Sequence, residues 1–241
     1  MTKVILNSGG MDSFFVARMV PDAHHVFVDV GQRYAHKERE AARRIADHVG
    51  QPLEIVLSAD IAKFEHKPSG IIPLRNAELI LQAAQYGNDI YLGILSNEIN
   101  SDKSPEFLRA MEEVLNISCR AQYWSAGTHF TLHTPLGTQS KAQLVAGLLA
   151  AVRRDITYHA AWQTMLSTVS CYDGGGLHCG KCPSCFKRWV ALTVATGVDA
   201  DSLHPFVEDP ATWATLEEWE AKGYPEERIQ EIRDAYAIAG L

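Results

Sequence analysis

Short apolar runs alternate with helical patterns through the first two thirds of this chain, and that alternation constrains its fold most. Lys3–Leu6, His25–Val30, Leu53–Leu57, Ile90–Leu92 and Phe130–His133 read as strands. Ser13–Val20, Glu38–Val49, Arg75–Tyr86, Pro105–Leu115 and Ser140–Ala151 read as helices. Pro105 suits a first helical position and Ser140 an N-cap. Strands alternating with helices predict βαβ units, hence an α/β fold with a parallel sheet of about five strands flanked by helices. Ligands of such a sheet gather at the carboxyl ends of the strands, near the point where strand order reverses. Phe186–Thr196 reads as a further helix. Beyond Pro205 the tail is rich in charge and tryptophan and predicts two short helices, broken near Gly223 and Pro225. The expected division is an α/β domain over residues 1–165 and a metal-binding, helical C-terminal region over 166–241.

Length and charge narrow the function classes. At 241 residues the chain can build one sizeable core. The balance of 22 basic and 29 acidic residues gives a net charge of −7. Such a chain has no general attraction to nucleic acid, so a nucleic-acid partner is not expected. No run of 18 apolar residues is present, which predicts no membrane helix. The opening MTKVILNSGG lacks the apolar core of a signal peptide, so a cytoplasmic location is expected.

Asn7-Ser8-Gly9-Gly10-Met11-Asp12-Ser13 follows the first strand and opens the first helix. Glycines let the backbone turn tightly and approach a ligand. The free N–H groups of the turn and helix start then face an anion. Ser8 and Ser13 can add hydroxyl donors. Asp12 would repel a bare phosphate, so its natural partner is Mg²⁺. A serine-capped Gly-Gly turn is the plainer reading. Neither a Walker loop nor a G-x-G-x-x-G fingerprint is present. The loop resembles the pyrophosphate loop of the ATP pyrophosphatases, which split ATP between the α and β phosphates.

The second signal is Cys171-x7-Cys179-x2-Cys182-x2-Cys185. In a chain expected in the cytosol, a tight cysteine cluster reads as a metal site before it reads as disulfides. Four thiolates close a tetrahedral Zn²⁺ site, structural rather than catalytic, one per chain. Gly174, Gly175, Gly176 and Gly180 would let the backbone wrap the ion, and Lys181, Lys187 and Arg188 would offset its negative charge. An iron–sulfur cluster and unligated cysteines are the alternatives, and His178 is a substitute ligand. Cys119, far from the cluster, reads as a small buried apolar residue.

Together these motifs resemble the 7-cyano-7-deazaguanine synthase family of the queuosine pathway. Gly31-Gln32-Arg33 resembles its G-Q-R-H segment, with Tyr34 in place of histidine. Ile72-Pro73-Leu74-Arg75-Asn76 resembles V-P-G-R-N, with Leu74 in place of glycine. Asp102-Lys103-Ser104-Pro105-Glu106-Phe107 resembles D-C-R-P-E-F, with Lys103 and Ser104 replacing Cys and Arg. Thr134-Pro135-Leu136 and Ser140-Lys141-Ala142 resemble T-P-L and N-K-A. The likeness spans roughly residues 1–197, and the tail beyond about 200 exceeds the family's usual core.

The resemblance implies conversion of 7-carboxy-7-deazaguanine, ammonia and ATP into a nitrile, with Mg²⁺ accompanying ATP. Asn7 to Ser13 would grip the phosphates, and Arg33 would assist. Lys141 would neutralise charge on the phosphates or adenylate. Arg75 would sit beside the nucleotide or substrate carboxylate, and Asp102 would bind Mg²⁺ or an exocyclic base nitrogen. Plainer readings are an exposed helix lysine for Lys141, surface pairs for Arg75 and Arg33, and a helix N-terminal charge for Asp102. The family habit and the apolar tail point to a homodimer. The changes at Asn100–Ser104 leave room for a specialised relative that stops at the amide or passes the activated deazaguanine to another acceptor. A zinc-ribbon binding module is the non-enzymatic alternative.

Overall fold

The computed structural model describes residues 2–67, 70–98, 100–173, 178–203 and 216–241. Gly174, Gly175 and Gly176, expected to wrap a metal, lie outside the described residues. Five strands, β1 (Lys3–Leu6), β2 (His24–Asp29), β3 (Leu53–Leu57), β4 (Asp89–Tyr91) and β5 (Thr131–His133), pair in parallel in the order β3-β2-β1-β4-β5. The expected α/β class and strand set are therefore present.

Central β1 is buried on both faces, as a parallel strand covered by helices must be. Its alternation divides the core. Ile5 joins one apolar cluster, while Val4 and Leu6 join the other. The Val4 and Leu6 side packs on α3 (Arg75–Ala83) and α4 (Pro105–Ser118) through Ile80, Ala83 and Leu115. The Ile5 side carries α1 (Met11–Met19), α2 (Ala35–His48), α5 (Lys141–Arg154), α6 (His159–Leu166), α7 (Pro183–Thr196) and α9 (Glu226–Ala239). The short α8 (Leu216–Ala221) brings Trp219 into that cluster. Among the described residues no helix is long and apolar enough to cross a membrane.

The chain runs from β1 outward through β2 to β3, then crosses to β4 on the other side of β1. That reversal opens a crevice beyond the carboxyl ends of β1 and β4. Two helix starts serve it. Gly10, extended at φ −82° and ψ 167°, opens α1 two residues earlier than expected. Ser140 caps α5 as expected, and the structure adds a full capping box with Gln143.

Some elements differ from expectation. Helix α6 was not anticipated, because only Ala161, Trp162 and Met165 of its eight residues are buried and no long apolar stripe announces it. Leu74 adopts a left-handed conformation, φ 62°, where the resembled family pattern has glycine. Its side chain is exposed, so the turn is kept at a cost of roughly 1–2 kcal/mol with no packing gained in return. Cys119 is half-buried and packs against the α3–α4 cluster, close to its expected apolar role.

Candidate functional site

The crevice holds a cavity of about 190 Å³, against about 10 Å³ for a depression beside Phe186. The larger one is lined by the loop after β1, by β2 and the residues after it, by Gly93 and Ile94 after β4, and by Arg75, Lys103, Lys141 and Tyr172.

The loop after β1 is held from beneath. Asn7 is buried, donating from Nδ2 to the Ala42 carbonyl at 2.9 Å and accepting the Gly9 N–H at 3.1 Å. Its amide thus braces the turn. Gly9 sits at φ +72°, and a Cβ there would stand 2.3 Å from the Glu38 carbonyl oxygen. Both facts require glycine. Ser13 Oγ accepts the Ser8 N–H at 3.0 Å and lies 3.1 Å from Ser8 Oγ, closing the loop on itself. Gly10 has no side chain to cap α1, so the first N–H groups of that helix face the cleft without a side-chain partner.

Asp12 and Lys141 meet across the cleft. Lys141 Nζ lies 3.0 Å from Oδ1 and donates to Oδ2 at 3.1 Å. Asp12 Oδ1 is buried and has no hydrogen bond among the described residues. Gly93 makes room for this carboxylate, because a Cβ there would stand 2.9 Å from Asp12 Cβ. Lys141 is the first residue of α5, where the helix dipole disfavours a cation. The positive helix end and the ammonium therefore reinforce one another as an anion site, with Asp12 as counter-charge.

Arg75 is also in the lining. Its Nη1 donates to the Tyr34 hydroxyl at 3.5 Å. Burial works against its charge, but Tyr34, Tyr172, Glu38 and Asp102 hold its pKa above the ordinary value. Asp102 stands aside from the lining, its carbonyl accepting from Asn76 Nδ2 at 3.1 Å. The next residue, Lys103, is the one that reaches the cleft, paired with Glu98 at 3.1 Å. Arg33 also turns aside. It donates from Nε to the Tyr172 carbonyl at 3.0 Å and pairs with Glu65 at 3.3 Å.

Among the lining residues to which sequence reading gave no role are Gln32 and Glu38. Gln32 accepts the Val30 N–H at 2.9 Å, and its Nε2 then donates to Glu38 Oε2 at 2.9 Å. Burial pushes the Glu38 carboxyl up to about 7, against the opposing pull of Gln32 and Arg75. Its position inside HKEREAARR, a run of charges, gave no sign of burial.

The four cysteines converge. Cys171, Cys179, Cys182 and Cys185 place all their sulfur atoms within 4.8 Å of one another, with Cys179 and Cys185 3.9 Å apart. A tetrahedral zinc with Zn–S near 2.3 Å needs sulfurs about 3.8 Å apart, so the cluster fits zinc. Cys182 caps α7 and Cys185 lies in its first turn. Backbone N–H groups of Asp173 and Cys179 donate to Cys171 Sγ at 3.3 and 3.2 Å, as thiolates at metal sites accept them. The knuckle reaches the cleft directly. Val169 donates its N–H to the Gly9 carbonyl at 2.9 Å, and Tyr172 packs on Tyr34 with ring centroids 5.5 Å apart. Buried Arg188 anchors the knuckle helix to the end of α6, donating to Thr168 Oγ1 and the Leu166 carbonyl at 2.8 Å each.

A family model for the queuosine biosynthesis protein QueC matches residues 55–196, more than half of the chain. This chain belongs to the QueC family. Its relatives include 7-cyano-7-deazaguanine synthase 1 of Sphingopyxis alaskensis, 30% identical over 217 residues that cover 78% of this chain and 91% of that one. The 7-cyano-7-deazaguanine synthase of Methylococcus capsulatus is 33% identical over 215 residues, covering 77% and 91%. That of Chlorobaculum parvum is 30% identical over 223 residues, covering 78% and 90%. A QueC protein with synthase relatives of this coverage is an enzyme. Helix α9 lies beyond the matched span.

Proposed function

We propose that this chain is an ATP-dependent 7-cyano-7-deazaguanine synthase. The observation that carries the reading is the anion-binding loop at the reversal point of the sheet, facing the Asp12–Lys141 pair. The names of the QueC relatives supply the substrate class.

In this reading a carboxylate oxygen of 7-carboxy-7-deazaguanine attacks the α-phosphorus of ATP, and pyrophosphate leaves. Ammonia attacks the acyl carbon, AMP leaves and a proton is lost, giving the amide. The amide oxygen then attacks the α-phosphorus of a second ATP, and a second pyrophosphate leaves. Loss of that oxygen as AMP, with both nitrogen protons, leaves C≡N. The chain's residues position and neutralise. The N–H groups of Gly10 to Ser13, at the start of α1, receive the pyrophosphate oxygens. Lys141 neutralises charge beside them, and Arg75 holds the carboxylate or nucleotide from the α3 side. Asp12 suits Mg²⁺, because its carboxylate lies in the cleft lining and Lys141 is the only cation paired with it among the described residues. The ion would supply positive charge next to the phosphates. Arg33 and Asp102 act from outside the lining, by fixing Tyr172 and Asn76. Zinc in the cysteine cluster would hold Val169 to Tyr172 against the loop.

The test is stoichiometry. Purified protein should release pyrophosphate and AMP from ATP only when 7-carboxy-7-deazaguanine is present, and mass spectrometry with ammonia as nucleophile should find the nitrile. Lys103 in the lining, where the resembled family has cysteine, favours a second reading in which the amide or a conjugate accumulates. AMP release indifferent to the deazaguanine acid overturns both.

A further inference from the structure

Helix α9 lies outside the span matched to QueC, yet it touches both segments that deliver a lysine to the cleft. On one side Arg228, 6% exposed, donates from Nη2 to Asn97 Oδ1 at 2.5 Å. Asn97 is fully buried. Its neighbour Glu98 holds Lys103 at 3.1 Å, with side chains 15% and 19% exposed. Burial works to raise the Glu98 pKa, but Lys103, Lys187 and Lys141 bring it down to about 2, so the pair stays ionised. On the other side Glu231 accepts from Ser140 Oγ, the cap residue immediately before Lys141. Glu227 adds Ser96 Oγ at 3.2 Å and Gln143 Nε2 at 3.4 Å, one bond to each segment. The arginine itself is steadied by the Tyr224 ring, 5.6 Å from Cζ.

Neither lysine is held by its own element. Lys103 ends a single 3₁₀ turn, Ser101–Lys103, and Lys141 begins a helix whose dipole repels it. Such a group stays in place only if its supporting residues are locked. We propose that α9 is a strut that positions the two lysines of the nucleotide cleft, Arg228 acting through Asn97 and Glu98 on Lys103, and Glu231 acting through Ser140 on Lys141. Arg228 and Glu231 are positioning residues and touch no substrate. The proposal rests on the reading that this cleft binds magnesium–ATP.

The measurement is magnesium–ATP affinity of the full chain by titration calorimetry, with melting temperature recorded beside it. Arg228→Met should weaken binding about tenfold, the size of a coupling between residues sharing one network. The same substitution in a Lys103→Met background should change affinity by less than about twofold, because its route is already cut. In a Lys141→Met background the tenfold loss should persist. Arg228→Lys should recover most of the affinity through one retained donor. If Arg228→Met does not fold, Glu231→Gln in the presence and absence of Lys141→Met carries the same test. A lower melting temperature with unchanged affinity, or equal losses in both lysine backgrounds, overturns the strut. Normal magnesium–ATP binding without substrate-dependent AMP sinks the synthase reading and leaves the strut standing. A wild-type chain that binds no magnesium–ATP overturns both.

Discussion

A single oxygen atom distinguishes Asp12 from asparagine, and the site is built around that difference. Lys141 faces both carboxylate oxygens at about equal distance, and Oδ1 has no other polar partner among the described residues. Asp12→Asn keeps the shape and deletes the charge. The fold should survive and substrate-dependent AMP formation should fall about 10²–10³-fold, as when one preorganised electrostatic contact is lost. Near-normal turnover of that variant in a pyrophosphate-release assay rules out the assigned role. Glu38 makes a different prediction, on stability. Its carboxyl titrates at about 7 when folded, against an ordinary 4.5, because burial disfavours its charge. Between those values the folded state keeps a proton that the unfolded chain has lost. The stability this contributes is complete below about pH 4.5 and is lost as pH rises to about 7. The melting temperature of the wild type should therefore fall relative to that of Glu38→Gln across this window. A gap that stays constant with pH contradicts the buried, proton-retaining carboxyl. Gly9 and Asp12 were legible in the sequence because a tight turn and charge chemistry demand those residue types after the first strand, whereas Lys141 was pointed to only by the family resemblance. Glu38 was not, since burial depends on what α2 packs against. Nor was the exchange of Lys103 for Asp102 in the lining, since one residue of rotation in a 3₁₀ turn decides which side chain faces the cleft.

Elements with local signals were read well, and elements defined by their partners were not. Strand β1 and strand β3 have the bounds their apolar runs predict, and α5 starts at its serine cap. Ser104, read against the resembled pattern as a lost arginine, is the N-cap of α4, its Oγ accepting the Phe107 N–H at 3.1 Å. A cap of that kind contributes about 1 kcal/mol, so the residue has a local structural reason to be serine. Helix α6 escaped because its short apolar face gives no periodic signal, while part of its support is remote: the Arg188 guanidinium covers the carbonyls of Met165 and Leu166 from a helix 22 or 23 residues away in sequence. The cysteine cluster was legible as spacing, but its reach to the phosphate loop through Val169 was not. That contact makes zinc matter beyond the knuckle. Stripping zinc with a chelator, or Cys182→Ser, should cost about 3 kcal/mol, a fall of about 6–12 °C in Tm for a chain of this size. Hydrogen exchange should rise first between Val169 and Cys185. One equivalent of bound zinc that can be removed with Tm and exchange unchanged would show the site to be incidental.

At the scale of the molecule, the question is whether the C-terminal third is a separate unit. A boundary near residue 165 is natural in the sequence, where the βα alternation stops and the cysteines begin. The packing crosses it. Phe186, Trp189, Leu192, Trp219, Ile229 and Ile232 lie in the same apolar cluster as Ile5, Phe14, Ile45, Leu144 and Leu148. Phe186 stacks on Trp219 at 4.8 Å and tilts against Trp189 at 5.9 Å, so the aromatic centre of this cluster comes from the C-terminal side. Fully burying one such side chain contributes about 1.5–3 kcal/mol, and a folded domain retains only about 5–15 kcal/mol in all. Losing several of these residues at once therefore exceeds what the α/β part can spare. The polar contacts of α9 with Asn97 and Ser140 add to the same conclusion. Tryptophan fluorescence, which reports five tryptophans on both sides of residue 165, among them Trp162, Trp189 and Trp219, and far-UV circular dichroism, which reports all helices, should melt in one coincident transition. A fragment ending at residue 165 should show no cooperative transition, with Phe14, Leu144 and Leu148 left open to water. Trp189→Ala in the full chain should lower stability by about 3–5 kcal/mol while keeping a single transition. Two resolved transitions, or a cooperatively melting 1–165 fragment, would show that the shared core is a contact between independent units.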